Sequence, residues 1–541
     1  MIVPELIRIE LENLREENAL LRESNARLLE INTRLTAENE LLRQKVDMLC
    51  RKVFGTSSEK IDLNQMLLFD AQEAKKPEGD GPAPEVEPSP AIIKAKRAKR
   101  ISREATLPAN LPVEETILIP DEVREHPEQY RQVSEEITTK LDYQPAQFKK
   151  LVTRRPKYVK RLVSLDDAEA DSFFIAPLPV SLKERSLLTP RLAAEIATNR
   201  FCDHQPYYRQ EQHFLMRHGV HLPRNTMSQW MADLSDDYLS GIYRSMHEEM
   251  LLEKYLQADE TPIEYLDPGG GKTSQGYLWT LSRPDHKSED GRGDILYQWH
   301  ASRAATCLES LLQTPSQTFC GILQCDGYQA YETYRKQRED VELIGCWAHV
   351  RRKFFEAKDH KPKLTAWFLR QIQNLYQIEA QLRQHRAGPA ERERVRICQS
   401  LPIYRRLGKA LWKIKAARHI LPKSNLGKAI DYALGQWPKL ERCFLDGRLE
   451  IDNNLIENGI RPTKLGAKNW LFMGSETAGQ TNAIWYTLIE SCRRRKVDPW
   501  KYLVWIFEEL PKVKVTAGTF ASYTPKAYAK SLSKPRLKKT A

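Results

Sequence analysis

Short apolar runs alternate with helical patterns between residues 255 and 358, and this alternation restricts the fold more than any other feature. The strand-like runs lie at 255–258, 277–281, 294–299, 321–325 and 341–345, and the helical patterns lie at 304–312, 328–338 and 347–358. Three consecutive strands predict an antiparallel meander, and strands joined through helices predict parallel additions by crossovers. We therefore expect one mixed sheet within a multidomain α+β chain, since 541 residues allow about three or four domains.

Acidic residues follow two of these strand-like runs. The element order is that of an RNase H-like domain, in which the first and fourth strands lie side by side. Asp259 follows the first run, in Q-A-D-E-T-P, and Asp326 follows the fourth, in L-Q-C-D-G-Y. Glu457 opens a later helical segment, in I-D-N-N-L-I-E. Three such carboxylates form the all-oxygen pocket that Mg²⁺ prefers, and two Mg²⁺ ions drive in-line displacement at a phosphate, with DNA as the candidate substrate.

Each acid also has a purely structural interpretation. Asp259 fits a turn at a strand end, Asp326 with Gly327 fits a turn dipeptide, and Glu457 with Asn454 fits a capping box. Their joint placement on two strands and a later helix favours catalysis instead. We expect Asp259 to be shared by two metals, with Asp326 and Glu457 completing one metal site each.

Basic and glycine residues follow Glu457. The basic residues are Arg461, Lys464 and Lys468, which either grip the DNA strand that is cut or balance nearby acids. The glycines, Gly466, Gly474 and Gly479, predict a broken loop that approaches DNA closely.

A cysteine and a histidine lie three residues apart in C-W-A-H, at Cys346 and His349. A structural zinc site needs four ligands, and no second pair is evident. A buried structural pair is therefore the better interpretation, and no zinc is expected.

Leucine recurs every seven residues near the N-terminus. The d positions are Ile7, Leu14, Leu21, Leu28, Leu35, Leu42 and Leu49, and the a positions include Asn18, Asn25, Asn32 and Asn39. Leucine at d with asparagine at a predicts a parallel coiled coil over residues 1–54, and thus a homodimer or higher oligomer. The alternative is a helix packed on its own domain, although four asparagines make a poor core.

The segments between these features have weaker patterns. The composition of residues 55–106 predicts a disordered, basic linker. We expect residues 107–185 to form a small mixed module. Its Arg154, Arg155 and Lys157 either lie along a DNA backbone or face solvent. Residues 186–250 resemble helix-turn-helix, with Arg224, Asn225, Ser228 and Gln229 placed to reach base edges, although short helix–glycine–helix patterns are common.

The remaining boundaries follow from the same pattern. The catalytic core spans 251–358 and 446–510, a helical insertion spans 359–445, and a basic tail spans 511–541, disordered from about residue 515. A net charge of +12 suits a polyanionic partner without identifying one. The nine scattered cysteines and a mean hydropathy of −0.58 predict a reducing, cytoplasmic compartment and no membrane association.

Long motifs carry a family resemblance over nearly the whole chain. They are ADETPIEYLDPGGGKT (258–273), LQCDGYQAYE (323–332), GCWAHVRRKFFEA (345–357), IDNNLIENGIRPTKLGAKNWLFMGSETAG (451–479) and TLIESCRRRKVDPWKYL (487–503). The chain resembles insertion-sequence-66 family transposases of the TnpC type, within the DDE (Asp-Asp-Glu) superfamily.

The resemblance implies a function and assigns its residues. The acidic triad falls on Asp259, Asp326 and Glu457, and a C-x-x-H pair with a structural role falls on Cys346 and His349. It implies a bacterial, nucleoid-associated enzyme that binds terminal inverted repeats. Such an enzyme cleaves and transfers DNA strands with two Mg²⁺ or Mn²⁺ ions, and accessory transposition proteins are possible partners.

Departures from the family pattern leave a second function open. Residues 107–180 contain no cysteine where family members usually carry a zinc module, and Asn458 and Ala467 replace expected basic residues. A decayed transposase or a DNA-binding regulator that binds ends without cutting is the alternative. An RNase H-like nuclease without strand transfer is a further rival, which the coiled coil and the helix-turn-helix oppose.

Overall fold

A computed structural model describes residues 18–20, 22–36, 38, 42, 147–155, 157–159, 173–175, 177, 179–267, 272–285, 292–513, 516 and 518–533. By its internal contacts the chain divides into a unit of residues 1–55 and 154–541 and a unit of residues 56–153. The predicted coiled-coil positions Leu14, Leu21 and Asn39, the linker 55–106 and most of the 107–185 module lie outside the described residues.

The N-terminal segment is helical where it is described. Residues 18–20 and 22–36 are helix, and all of them are exposed. Leu28 and Leu35, two of the predicted d positions, are 59% and 50% exposed. The helix therefore presents its apolar stripe to solvent in the single chain.

Five strands form one mixed sheet. They are β3 (Tyr255–Leu266), β4 (Thr273–Pro284), β5 (Arg292–His300), β6 (Gly321–Gln324) and β7 (Val341–Ile344), after a small pair, β1 (Lys157–Val159) and β2 (Phe173–Ile175). Their order is β5-β4-β3-β6-β7, with β3, β4 and β5 antiparallel and β6 and β7 parallel to β3. The predicted meander and the adjacency of the first and fourth strands are confirmed.

Helices surround this sheet in the order that the sequence predicts. The N-terminal group is α1 (Pro190–Phe201), α2 (Tyr207–His218), α3 (Arg224–Leu234), a π-helical turn (Ser235–Leu239) and α4 (Ser240–Leu251). The crossover helices are α5 (Thr306–Leu312), α6 (Gln329–Gln337) and α7 (Trp347–Glu356). Gly219, with φ of +65°, ends α2 in the left-handed conformation before α3, so the expected helix–glycine–helix pattern is present.

The insertion after α7 is helical, as expected. It contains α8 (Pro362–Gln384), α9 (Pro389–Val395), a π-helical turn (Arg396–Ser400), α10 (Leu401–Ala417) and α11 (Asn425–Leu445). Trp347 of α7 anchors it through edge contacts with Tyr404 and Trp437, and these two rings stack 4.4 Å apart. This aromatic core fixes α11 against the sheet domain.

The chain then returns to the sheet through α12 (Asn454–Trp470), α13 (Glu476–Arg494) and α14 (Pro499–Glu509). The predicted glycine-broken loop is wrong for Gly466 and Gly479, which lie inside α12 and α13, whereas Gly474 does lie in the short link between these helices. A Cβ at Gly466 would lie 2.6 Å from the Tyr486 hydroxyl, and one at Gly479 would lie 2.4 Å from the Trp299 ring. These glycines permit close packing of helices, which the sequence pattern alone does not distinguish from a loop.

The C-terminal tail is also more ordered than expected. Residues Phe520–Tyr523 form a 3₁₀ turn and α15 spans Pro525–Ser533. Trp505 stacks on Tyr528 at 4.8 Å, and the Tyr502 hydroxyl donates to the Tyr523 carbonyl. Aromatic burial thus outweighs the basic composition on which the expectation of disorder rested. Among the described residues, no helix is both long and apolar enough to cross a membrane.

Candidate active site

Asp259 and Asp326 lie where β3 and β6 part. The two strands pair only from Tyr255↔Ile322 to Gln257↔Gln324, after which β6 ends and β3 continues beside β4. Asp259 therefore lies within a long strand, paired with Thr280, and not at a strand end as expected. Asp326 follows the carboxyl end of β6, so both aspartates border the crevice that opens there.

A buried amide pair beneath the aspartates joins these strands. Gln257 and Gln324 each lie two residues before an aspartate, and both are fully buried. The Gln257 Nε2 atom donates to Gln324 Oε1 at 2.8 Å and to the Asp452 carbonyl at 2.9 Å. Gln324 Nε2 donates to the Glu450 carbonyl at 2.9 Å. The network thus fixes the segment that leads into α12 against both strands.

Asn453 continues this network to the start of α12. Its Nδ2 donates to the Ala258 carbonyl at 3.1 Å, and its backbone N–H donates to Cys346 Sγ at 3.2 Å. Asn453 is the residue before the helix, and its side chain does not cap it. The capping box of Asn454 with Glu457 is therefore not formed. Glu457 lies in the first turn of α12 without capping it.

Within the described residues, Asp259 and Asp326 have no cation within 4.0 Å, and Glu457 has only Arg352, at 3.5 Å. Burial raises the pKa of Asp259 well above its usual range, and the charges of Glu260, Glu457 and Asp326 raise it further. Asp259 Oδ1 accepts the Glu260 N–H at 2.9 Å, and Asp326 Oδ1 accepts the Tyr328 N–H at 2.8 Å. These two hydrogen bonds orient each carboxylate but leave the mutual repulsion in place.

Glu457 has one oxygen with little compensation. Its Oε1 is buried and accepts no hydrogen bond, although His349 Nε2 lies 3.9 Å away. Its Oε2 lies 3.5 Å from the guanidinium of Arg352, which is itself about half exposed. Burial lowers the pKa of His349, which favours its neutral form beside this carboxylate.

The donor set fits a hard divalent cation. Within the described ranges, no three His, Cys, Asp or Glu side chains already converge to hold a metal ion. The three carboxylates nevertheless supply only oxygen donors, repel one another, and include a buried oxygen without a partner. Mg²⁺ and Mn²⁺ prefer such ligands and usually keep waters as well, so Asp259, Asp326 and Glu457 would hold them.

Sequence inspection missed a supporting network behind Asp326. Glu260 is buried and accepts hydrogen bonds from Arg303 Nε at 3.0 Å and from the Tyr331 hydroxyl at 2.8 Å. The Arg303 guanidinium lies 3.8 Å from the centre of the Tyr328 ring. The sequence Asp259-Glu260 indicates that Glu260 lies on the opposite face of β3 from Asp259. Only the fold shows that Arg303 connects Glu260 to the loop that follows Asp326.

Cys346 and His349 face different neighbours. Cys346 is buried, and its thiol accepts the Asn453 N–H, which suits the expected structural role. His349, one turn along α7, points to Glu457 and so lies in the candidate site itself. The sequence alone does not indicate that Cys346 and His349 have these different roles.

The predicted DNA-contact residues fall into separate groups. Arg461, Lys464 and Lys468 follow Glu457 along one face of α12, where Arg461 and Lys468 are exposed and Lys464 Nζ donates to the Pro262 carbonyl. Arg224 and Asn225 are exposed at the start of α3, with Ser228 and Gln229 on the same side. Arg154 is exposed and Arg155 is partly buried, while the Lys157 side chain lies outside the described part.

Comparisons with known proteins agree with this geometry. The sequence profile of the Transposase IS66 family matches residues 185–481, which include all three acids and more than half of the chain. A second profile, Transposase C of IS166 homeodomain, matches residues 41–116. The chain belongs to the IS66 family of transposases, so membership implies a DNA-processing enzyme with DNA as its partner.

Related proteins occur in Sinorhizobium fredii. The uncharacterized protein y4qI is 36% identical over 395 residues, covering 70% of this chain and 68% of that protein. The uncharacterized protein y4jD is 30% identical over 400 residues, covering 73% of this chain and 75% of that protein.

Proposed function

We propose that this protein cuts the ends of an insertion sequence and joins the freed 3′-OH to target DNA. The observation that carries the proposal is the cluster of Asp259, Asp326 and Glu457. These acids come from β3, β6 and α12, and the buried Gln257–Gln324 network holds those elements together. Together with membership of a transposase family, these contacts support the proposal of an RNase H-like DDE core.

The three carboxylates are proposed to bind two Mg²⁺ or Mn²⁺ ions, with Asp259 shared. When bound, such ions activate the attacking oxygen and stabilise the leaving oxygen of an in-line displacement at phosphorus. The tether from Asn453 to Ala258 keeps Glu457 beside the strands, and the Tyr328 N–H keeps Asp326 oriented. Water and the 3′-OH are the nucleophiles, so no covalent enzyme–DNA intermediate forms.

DNA is proposed to reach this cluster along α12. The exposed Arg461 and Lys468 continue the face that begins at Glu457, which suits a phosphate backbone leading into the site. The exposed side of α3 at Arg224 and Asn225 is proposed to recognise the element ends. The exposed leucine stripe of residues 22–36 is proposed to pair with a second copy, so that two ends are held together.

The test is cleavage and strand transfer on DNA that carries the element's own ends, with Mg²⁺ or Mn²⁺ and any accessory proteins supplied. Asp326→Asn is expected to abolish both reactions while end binding is retained. Asp267→Asn, an exposed acid near the end of β3, is the matched control and should remain active. Metal-independent cutting, or full activity of Asp326→Asn, would refute the proposal.

One outcome would favour the alternative function. End binding by the wild-type protein without any cutting, under the same conditions, would make the chain a decayed transposase or a DNA-binding regulator. Asn458 and Ala467, which stand where basic residues are expected, favour that outcome because they weaken the grip on DNA near Glu457.

A further inference from the structure

Helix α10 of the insertion is strongly basic. Its 17 residues include no acid, and its basic residues are Arg405, Arg406, Lys409, Lys413 and Lys415. Lys415 pairs with Asp431 of α11 at 2.5 Å. The other four are exposed, and within the described ranges no acidic group lies within 4.0 Å of their charged atoms. Their positive charge is therefore available to a partner.

A tryptophan lies among these basic residues. Trp412 is 60% exposed, and no other tryptophan in the described part of the chain is exposed to this degree. It follows Lys409 by three residues and Arg405 by seven, so helical geometry places it on their side. The opposite side of α10, at Tyr404, Leu407 and Leu411, is buried. The core therefore does not require the Trp412 ring.

We infer that this α10 basic face, formed by Arg405, Arg406, Lys409, Trp412 and Lys413, binds unpaired DNA that extends away from the cleavage site. The inference rests on the proposed function, because it assumes that DNA occupies the crevice of Asp326. The basic side chains suit phosphates, and the exposed indole suits the face of a base. Bases in a duplex are stacked on both faces, so the indole selects an unpaired base.

The position of α10 suits this role. Tyr432 of α11 packs against Gly327, the residue after Asp326, where a Cβ would lie 2.7 Å from its ring. Helix α10 packs on α11 through the stacked rings of Tyr404 and Trp437. One helix therefore separates the α10 basic face from the Asp326 loop, a distance on the order of 20 Å. DNA that leaves the crevice can reach this face.

The experiment measures binding of the full chain to a labelled oligothymidylate and to a duplex of the same length, in EDTA. Trp412→Ala is expected to weaken oligothymidylate binding by roughly 5- to 100-fold and to leave duplex binding unchanged. Trp412→Phe, which keeps a ring, should retain most of the affinity. The triple change Arg405→Ser, Lys409→Ser and Lys413→Ser should lower the salt slope by about 2.

The matched control is Arg335→Ser with Lys336→Ser, a basic pair exposed on α6, which should change neither affinity. Unaltered oligothymidylate binding by Trp412→Ala, or equal losses for both DNAs, would overturn the inference. Unaltered binding would include the case in which the face binds an acidic protein instead of DNA.

The failure of this inference differs from failure of the proposed function. DNA binding in EDTA is measured without cleavage, so the two proposals are tested separately. Binding that depends on Trp412, without any metal-dependent cutting, would support the inferred role of the α10 basic face and refute the strand-transfer proposal. Metal-dependent cutting with no Trp412 effect would do the reverse.

Discussion

Two clusters of acids in this protein, one fully buried and one partly buried, differ in how their charges are compensated. In the insertion, Glu379 is fully buried, and both of its oxygens accept from Arg396, at 2.6 and 2.8 Å. Arg396 also donates to the carbonyls of Cys443 and Leu449. Arg392 pairs with Glu450 at 2.9 Å. Every charge in this cluster has a partner, so the cluster is structural.

Asp259, Asp326 and Glu457 have far fewer such partners. Among the described residues, no basic group lies within 4.0 Å of Asp259 or Asp326, and the nearest to Glu457 is Arg352 at 3.5 Å. Repulsion and burial together raise the pKa of Asp259. Burial of acids alone therefore does not mark a functional site, whereas a group of neighbouring acids with little compensating positive charge marks one that requires a cation.

The largest expected effect is on stability, from the same change made in each cluster. Glu379→Gln leaves Arg396 and Arg392 without their shared counter-charge, which should lower the free energy of unfolding by about 3–5 kcal/mol. Glu457→Gln should leave stability unchanged or higher while abolishing cleavage. Urea unfolding of both variants checks this contrast, and equal losses of stability would remove the distinction between the clusters.

The second effect tests the network that places the acids. Gln324→Leu removes the hydrogen bonds that Gln324 Nε2 donates to the carbonyls of Gly345 and Glu450 and the one that Gln324 Oε1 accepts from Gln257, which should cost about 1–3 kcal/mol. Because Glu457 would shift relative to the strands, cleavage should fall roughly 100-fold. Gln337→Leu, at the exposed end of α6, is the control. Full activity in Gln324→Leu would show that the network only stabilises the fold.

The acids and their elements were predictable from sequence because strand and helix periodicity is local. The adjacency of β3 and β6 was predicted from the likeness of the element order to that of an RNase H-like domain. The partners were not predictable, since Arg303 and Glu260 are 43 residues apart and Gln257 and Asp452 are 195 apart. The predictions of a loop at Gly466 and Gly479 and of a disordered tail were wrong for the same reason, because the contacts that order these segments are made with residues distant in sequence.

The third effect is a gain in stability at the acid cluster. A carboxyl with a raised pKa in the folded state contributes stability below its ordinary pKa, and this is lost as pH rises through the folded value. At neutral pH without metal, Asp259→Asn should therefore stabilise the protein by about 1 kcal/mol. Unfolding in EDTA measures this gain. Added Mg²⁺ should then raise the melting temperature of the wild type more than that of the variant.

The smallest expected effect concerns a buried group outside both clusters. Its contribution to stability changes with pH in the opposite direction to that of Asp259. His247 of α4 is buried, its Nε2 lies 2.7 Å from the Leu311 carbonyl, and burial lowers its pKa. A lowered folded pKa means that its contribution is present above the ordinary pKa and is lost as pH falls through the folded value. The associated slope is at most one proton, about 1.4 kcal/mol per pH unit.

His247→Gln keeps a donor for Leu311 and removes the titration. Its unfolding free energy should therefore fall less steeply on acidification than that of the wild type, while Asp259→Asn should fall more steeply. The same pH series thus separates a buried base whose pKa is lowered from an acid whose pKa is raised. If both variants change the slope in the same direction, the charge state assigned to one of these two groups is wrong, and with it the contrast between compensated and uncompensated burial.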